Sequence, residues 1–370
     1  MIMSMEEIEI KDIGRQFQIE GEFIEGRPHG SGHINDTYLG TYNTSRGVKR
    51  FVHQRINHNV FKQPEKLMEN IERVTGYARQ RIIEAGGDPE RETLTLVATL
   101  DGKSFYKTVD GEYWRTYVFI NGARTYEMVE DLRHVYSAAK AFGNFQKLLD
   151  SLPGERLHET IPGFHHTRRR FEAFKQAVGK DAANRAKTIR SEINFYLERE
   201  AIASLVLDRL ESGQLPERVT HNDTKLNNVL IDNQSGDGVC VIDLDTMMPG
   251  SALYDFGDLV RMGTATAAED ELDLSKVGVD LNMFTWLARG YLDATRDFLT
   301  SQEIDLLALA GQLITFEQGI RFLSDYLNGD IYYKIHRPEH NLERTRTQLK
   351  MLKEMETKQD EMEAIIRRFL

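Results

Sequence analysis

The period of the hydrophobic pattern changes once along the chain. Up to about residue 120, apolar residues alternate or cluster in short runs; beyond it they recur every three or four positions. Residues 17–23 (FQIEGEF) roughly alternate, and a β-rich run follows at 38–42, then Arg50-Phe51-Val52-His53-Gln54-Arg55-Ile56. Two further strand signals lie at 94–100 and 113–120. Between them Leu67, Ile71, Val74 and Ala78 keep a helical spacing, and Pro64 suits a first helical turn. Glu69 and Glu72 lie on this helix and could pair with a strand cation. Asn121-Gly122 is a natural exit point. The expectation is a first lobe over 1–120, mainly strands with one main helix.

The remainder, 121–370, reads as mostly helical. Leu132, Val135, Ala139, Phe142, Phe145 and Leu149 make an apolar stripe that stops before Pro153. Further helices are expected at about 192–210, 281–298, 304–327 and 342–370, with Thr300 and Glu303 spaced as a capping box. Arg168, Arg169 and Arg170 read as a solvated basic face, with a phosphate or substrate contact as the lesser alternative. The fold class implied is α+β in two lobes, β-rich then helical.

One stretch interrupts the helices. His221-Asn222-Asp223 precedes Asn228, then an apolar run Val229-Leu230-Ile231, and a turn rich in Asn, Ser, Gly and Asp over 232–238. A second apolar run, Cys240-Val241-Ile242, delivers Asp243. This spells loop, strand, turn, strand, carboxylate, and a hairpin folded that way brings Asp223, Asn228 and Asp243 to one end. Phosphoryl transfer needs such a set: a carboxylate to accept a hydroxyl proton, and an amide oxygen and second carboxylate to hold Mg²⁺ on ATP phosphates. The spacing of Asp223 to Asn228 is that of a kinase catalytic loop. Turns favour Asp and Asn anyway, so the ordered set carries the reading and no single residue does. Upstream, Gly30, Gly32 and Asn35 belong to a segment, GSGHIN, whose glycines would let backbone N–H groups approach phosphates.

Composition narrows the classes. Of 370 residues, 40% are hydrophobic and 28% charged, ordinary for a globular chain, and the formal net charge of −11 argues against nucleic acid as a partner. Cys240 is the only cysteine, which excludes an internal disulfide and a cysteine metal cluster. No apolar run reaches 18 residues, and the amino terminus is acidic rather than signal-like, so no membrane partner and a cytoplasmic location are expected. Nothing in the sequence calls for an obligate protein partner.

On these residues the chain resembles the protein-kinase-like fold of the aminoglycoside phosphotransferase and choline kinase family. It is more closely similar to the bacterial N-acetylhexosamine 1-kinases. That similarity runs from about residue 30 to 346. It rests on Gly32-His33-Ile34-Asn35, the run from Thr220 through Asn228, Ile242-Asp243-Leu244-Asp245-Thr246, Met248-Pro249-Gly250, Asp255-Phe256-Gly257-Asp258, Arg321-Phe322-Leu323 and Pro338-Glu339-His340-Asn341-Leu342.

The resemblance implies ATP-dependent phosphorylation of the anomeric hydroxyl of N-acetylglucosamine or N-acetylgalactosamine. It assigns Asp223 as catalytic base and Asn228 and Asp243 as Mg²⁺ ligands. ATP would lie with its adenine against Val118, Phe119 and Ile120 and its phosphates under residues 30–35. The sugar would meet His33, Arg321, Tyr332 and Asp223 itself. Asp255-Phe256-Gly257 spells a kinase signature, yet Asp243, directly after an apolar run, is the better metal ligand. Asp255 is expected to be structural support, bonded to catalytic-loop backbone. Asp245 is expected to contact metal or support the turn. One departure stands out: where many such kinases place a strand lysine, this chain has Gln54 or Arg55. Two alternatives remain open at this point: a kinase of another small alcohol (aminoglycoside, choline or homoserine), and a non-catalytic nucleotide-binding protein of the same fold.

Overall fold

Strand residues of the first lobe are buried on both faces of one antiparallel sheet, and that alternation decides which side chains reach the cleft. The computed structural model describes residues 5–30, 32, 34–126 and 131–370. Five strands, β1 (Glu22–Pro28), β2 (Asp36–Thr44), β3 (Gly47–Ile56), β4 (Tyr106–Lys107) and β5 (Tyr113–Val118), pair in the order β1-β2-β3-β5-β4. Phe51, Trp114 and Val118 point to an outer core with Ile13 and Phe17, under the amino-terminal helix Met5–Gly14. Val52, Ile56, Tyr113 and Tyr117 point inward, against the helix Pro64–Glu84 and the second lobe. Residues 94–100 run alongside β5 through Val97 N–H to the Thr116 carbonyl (2.8 Å), with a single bridge, Leu96 to Tyr117, instead of the expected continuous strand. Phe17 likewise makes only an isolated bridge, to Thr99, and the first strand begins after it.

The helix Pro64–Glu84 starts on its proline and buries Leu67, Ile71, Val74 and Ala78, as the spacing predicts. Among its links to the second lobe is Asn70, a buried amide that donates to the carbonyls of His158 (2.8 Å) and Met247 (3.0 Å). Glu69 pairs with His158 at the surface, and so makes no pair with a strand cation.

After Asn121-Gly122 the chain enters β6 (Ala123–Arg124), which pairs with β8 (Val229–Asp232); β8 pairs in turn with β9 (Gly238–Val241). β7 (Arg218–Thr220) pairs with β10 (Met248–Gly250). The Asp232 carboxylate accepts the N–H groups of Gln234 and Ser235, both at 2.8 Å, and Gly236 takes a positive φ of 75°, which closes the turn. The helix Leu132–Leu149 packs behind this hairpin; Asp131 caps its start by accepting from Arg133 N–H at 2.8 Å.

Helices Leu281–Thr295 and Ser301–Asn328 lie where the periodicity places them, and the Thr300–Glu303 capping box forms in both directions. The helix expected over 192–210 is three short ones, Arg190–Leu197, Glu200–Ser204 and Leu207–Glu211. The first break falls at Arg199, whose guanidinium reaches Glu356 (2.6 and 2.9 Å). That expected over 342–370 divides at Lys358 into His340–Thr357 and Gln359–Arg367, with the lysine bonded to the Val279 carbonyl at 2.9 Å. Among the described residues no helix is long and apolar enough to cross a membrane.

Candidate active site

Backbone bonding brings the three motif residues to one end of the hairpin. Ile242 N–H donates to the Asn228 carbonyl (2.9 Å), so the start of β8 and the end of β9 set Asn228 and Asp243 side by side. His221 bridges them to the loop: its Nε2 bonds the Ile242 carbonyl (2.9 Å), while its Nδ1 accepts Asp223 N–H (3.3 Å). A carbonyl only accepts and an amide N–H only donates, which assigns the proton to Nε2. The Asn228 amide nitrogen donates to the Asp223 carbonyl (2.8 Å) and carboxylate (3.2 Å), leaving its oxygen as the acceptor for a cation.

Two residues in this turn hold unusual backbone: Asn222 at φ 65° and Asp243 at φ 59°. Asn tolerates this left-handed region better than most residues. Its side chain is also fixed there by the carbonyls of Thr220 (3.2 Å) and Thr246 (2.9 Å).

The two principal carboxylates are tuned in opposite directions. Burial pushes the Asp243 carboxyl up to about 6, and the neighbouring carboxylates of Asp245 and Asp223 add to it. Crowded acids of this kind are what a divalent cation neutralises. Asp243 and the Asn228 oxygen therefore fit Mg²⁺, a hard cation that takes one or two protein oxygens and completes its shell with water and phosphate. Burial works to raise Asp223 as well, but Lys225, bonded to both its oxygens at 2.7 and 3.0 Å, holds it below the usual range. Lys225, two positions past Asp223, joins the site although the motif spacing alone does not single it out.

Asp255 sits on the helix Ala252–Gly263 and accepts His221 N–H (3.0 Å), Asn222 N–H (2.7 Å) and Gln146 Nε2 (2.6 Å). Asp258 on the same helix accepts Thr224 N–H (3.0 Å) and pairs with Arg261 (2.9 Å). Phe256 is wholly buried against Phe284 and Tyr291. A Cβ on Gly257 would stand 2.3 Å from the Ala310 carbonyl oxygen. All four residues of the Asp-Phe-Gly-Asp run thus serve a packed helix that grips the catalytic loop from behind.

Towards the first lobe, β3 turns Gln54 to the cleft side and Arg55 away from it. Gln54 accepts from Arg115 Nε (3.0 Å), its register partner on β5. Arg55 lies on the outer face, paired with Asp36 (2.7 Å) and over the Trp114 ring. Asn35 donates to Asp245 (2.5 Å), and Gly30 takes a positive φ of 81° with open space around it. Gly32 is exposed, also with open space where a Cβ would stand. The N–H groups of Val118 and Phe119 are bonded to the carbonyls of Thr95 (2.9 Å) and Arg50 (3.1 Å). The Phe119 ring packs between His29 and the Arg50 guanidinium, and Ile120 is buried beside it in the chain.

On the other side of the loop, His165 contacts the Asn222 carbonyl (3.3 Å) and the buried Glu317 (2.9 Å). Glu317 also accepts from Thr167 (2.6 Å) and pairs with Arg170 (3.5 Å). Burial opposes it, but His165 and Arg170 hold the Glu317 carboxyl down at about 2. Arg170 leaves the expected solvated face to donate to the Phe164 carbonyl, whereas Arg168 stays at the surface with Asp208 and Glu211. Arg321 lies against the Phe164 and Tyr333 rings and bonds Gln318 (2.9 Å). Tyr332, 73% exposed, packs edge-on to Tyr333. Asp325 fixes this segment by accepting the N–H groups of Ile331, Tyr332 and Tyr333 at 2.8–2.9 Å. His33 lies outside the described residues.

Comparison with known proteins agrees with this architecture. The fold matches an aminoglycoside phosphotransferase from Alicyclobacillus acidocaldarius subsp. acidocaldarius DSM 446, with a TM-score of 0.61 and 12% identity, covering 100% of this chain and 97% of that one. A microcompartment-associated aminopropanol kinase matches with a TM-score of 0.59 and 14% identity over 96% and 98% of the two chains. An amicoumacin kinase in complex with AMP-PNP, Ca²⁺ and Ami matches at 0.58 and 11%, over 95% and 93%. At these identities the likeness speaks for the fold. The sequence itself goes further: residues 25–288, most of both lobes, match the family described as phosphotransferase enzyme family, and the chain belongs to that family.

Proposed function

We propose that this protein is an ATP- and Mg²⁺-dependent kinase that phosphorylates the anomeric hydroxyl of an N-acetylhexosamine, N-acetylglucosamine or N-acetylgalactosamine. The observation that carries the choice of acceptor is the side of the catalytic loop reached through His165. It presents Arg170 and Arg321 with aromatic rings, and its buried carboxylates are already matched, Glu317 by His165, Thr167 and Arg170, and Asp325 by the N–H groups of Ile331, Tyr332 and Tyr333. Choline, aminopropanol and aminoglycosides are cations, and Glu317 and Asp325, already matched, are poorly placed to hold them. A neutral ring with hydroxyls and an acetamido group takes guanidinium donors and an aromatic face.

Asp223 would accept the proton of the attacking hydroxyl as its oxygen bonds the γ-phosphorus and ADP leaves. A carboxylate held down by Lys225 is ionised but weakly basic, so its main contribution is to aim the hydroxyl. The anomeric hydroxyl, more acidic than other sugar alcohols, suits a weak base. Lys225 stands beside that carboxylate, where charge on the transferring group develops. Asn228 and Asp243 would hold Mg²⁺, which neutralises charge on the phosphate oxygens. The amicoumacin kinase of the same fold is a complex with AMP-PNP, in keeping with a nucleoside triphosphate donor.

The test is acceptor-dependent ADP release across N-acetylglucosamine, N-acetylgalactosamine, choline, homoserine and kanamycin. Turnover confined to the amino sugars upholds the reading. Turnover with a cationic acceptor and none with the sugars would discard the sugar pocket while leaving the kinase.

A further inference from the structure

The strand lysine of many kinases is absent here, and the inward-facing polar side chain near its place on β3, between Val52 and Ile56, is the uncharged Gln54. A cation nevertheless stands at that point of the sheet, on the neighbouring strand. Arg115 is the register partner of Gln54 and donates to it through Nε. Its guanidinium forms an ion pair with Asp245, two residues past Asp243, and the two side chains are only 1% and 3% exposed. The other Asp245 oxygen accepts Asn35 Nδ2 (2.5 Å), and Asn35 Oδ1 in turn accepts Asn57 N–H (3.0 Å) just past the end of β3. One carboxylate from the second lobe is therefore held by a strand and a glycine-segment residue of the first.

Burying both charges carries a desolvation cost that an apolar pair would avoid. The pair is also too enclosed for Arg115 to reach a bound phosphate directly. Its geometry instead fixes three things together: the turn that carries Asp243, the inner face of β5, and Asn35 at the entry to β2. We propose that Arg115 is a positioning residue for the nucleotide phosphates, acting through Asp245 and Asn35 to hold the entry to β2 in register with the Asp243 end of the hairpin. Asp245 is then a clasp between the lobes and not a second metal ligand. The inference rests on the kinase reading above, and its test needs no acceptor.

Mg·ADP and adenosine are titrated calorimetrically into the wild-type protein and into Asn35→Ala, Arg115→Lys, Arg115→Met and the Asn35→Ala/Arg115→Met double variant, with folding checked by circular dichroism. Arg115→Met and Asn35→Ala each weaken Mg·ADP about tenfold and leave adenosine unchanged, because the loss falls on the phosphates. Arg115→Lys lies between, since an ammonium keeps the charge without the fork. The double variant is no weaker than Arg115→Met, as both changes act through Asp245. An ADP-to-adenosine ratio unchanged from wild type, or additive losses in the double variant, would overturn the proposal. If Arg115→Met does not fold, Asn35→Ala and Arg115→Lys decide it by the same ratio. Wild-type protein that fails to bind Mg·ADP would overturn the kinase reading together with the clasp; variants matching a wild type that binds would overturn only the clasp.

Discussion

The Asp255 carboxylate accepts the Asn222 backbone N–H at 2.7 Å, immediately before the proposed base. Its other oxygen takes His221 N–H, so two buried amides of the catalytic loop depend on one side chain. Asp255→Ala is expected to lower stability by about 3 kcal/mol, the order of cost for buried donors left unpaired. Turnover should fall more than nucleotide affinity, because the loop carries Asp223 while the nucleotide is held elsewhere. Denaturant unfolding checks the first effect and steady-state kinetics the second. Unchanged stability would show that the loop holds its shape without Asp255.

Gly257 distinguishes a packed helix from a mobile kinase signature. Its position against the Ala310 carbonyl leaves no room for a methyl group. Gly257→Ala is expected to cost about 1–3 kcal/mol by overpacking. Thermal unfolding measures it, and a fully stable variant would mean the two helices are not in contact as described.

Asp223 and Asp243 should fail differently. Asp223→Asn is expected to reduce kcat roughly a thousandfold while leaving Mg·ADP binding intact. Asp243→Ala should weaken Mg·ADP at least about tenfold, because it removes one of only two proposed protein ligands. Calorimetry with Mg·ADP and single-turnover kinetics separate them. A normal rate in Asp223→Asn would assign the base elsewhere, and normal Mg·ADP affinity in Asp243→Ala would do the same for the metal.

His53 gives the first lobe a pH dependence. It is buried between Tyr42 (3.0 Å) and Thr116 (2.8 Å) beneath the Phe17 ring, with no charged group bonded to it, and burial lowers it to about 4. Below its ordinary value of 6.5 the unfolded chain takes up a proton that the folded one refuses until about pH 4. Stability should therefore fall by about 3 kcal/mol as pH drops from 6.5 to 4. His53→Gln should flatten that slope relative to wild type; parallel unfolding curves would contradict it.

What the sequence reveals about this protein depends on how local each feature is. The hairpin and its three polar residues occupy one short stretch in which turn chemistry and apolar runs alternate, so Asp223, Asn228 and Asp243 could be placed together before any coordinates. The helix Ala252–Gly263 could not. Every residue from Ala252 to Arg261 is buried, and the polar stripe of Asp255, Asp258 and Arg261 turns to the loop over 221–224 where a surface helix would turn to water. Asp255-Phe256-Gly257 also imitates a loop motif there. Arg115 looks like one more alternating strand residue, and only the pairing of β5 with β3 and its contact with Asp245 give it a role. The acceptor side is assembled across long separations: His165 meets Glu317 at a sequence distance of 152 residues. The same alternation that shows Gln54 facing the cleft removes Arg55 from it, a distinction that needs the sheet's two faces.

The most direct test of the central claim is phosphorus NMR of the product formed from N-acetylglucosamine with ATP and Mg²⁺. The account predicts a sugar 1-phosphate, with its phosphorus coupled to the anomeric proton. A phosphate on another hydroxyl, or ATP left unconsumed beside either amino sugar, would contradict it.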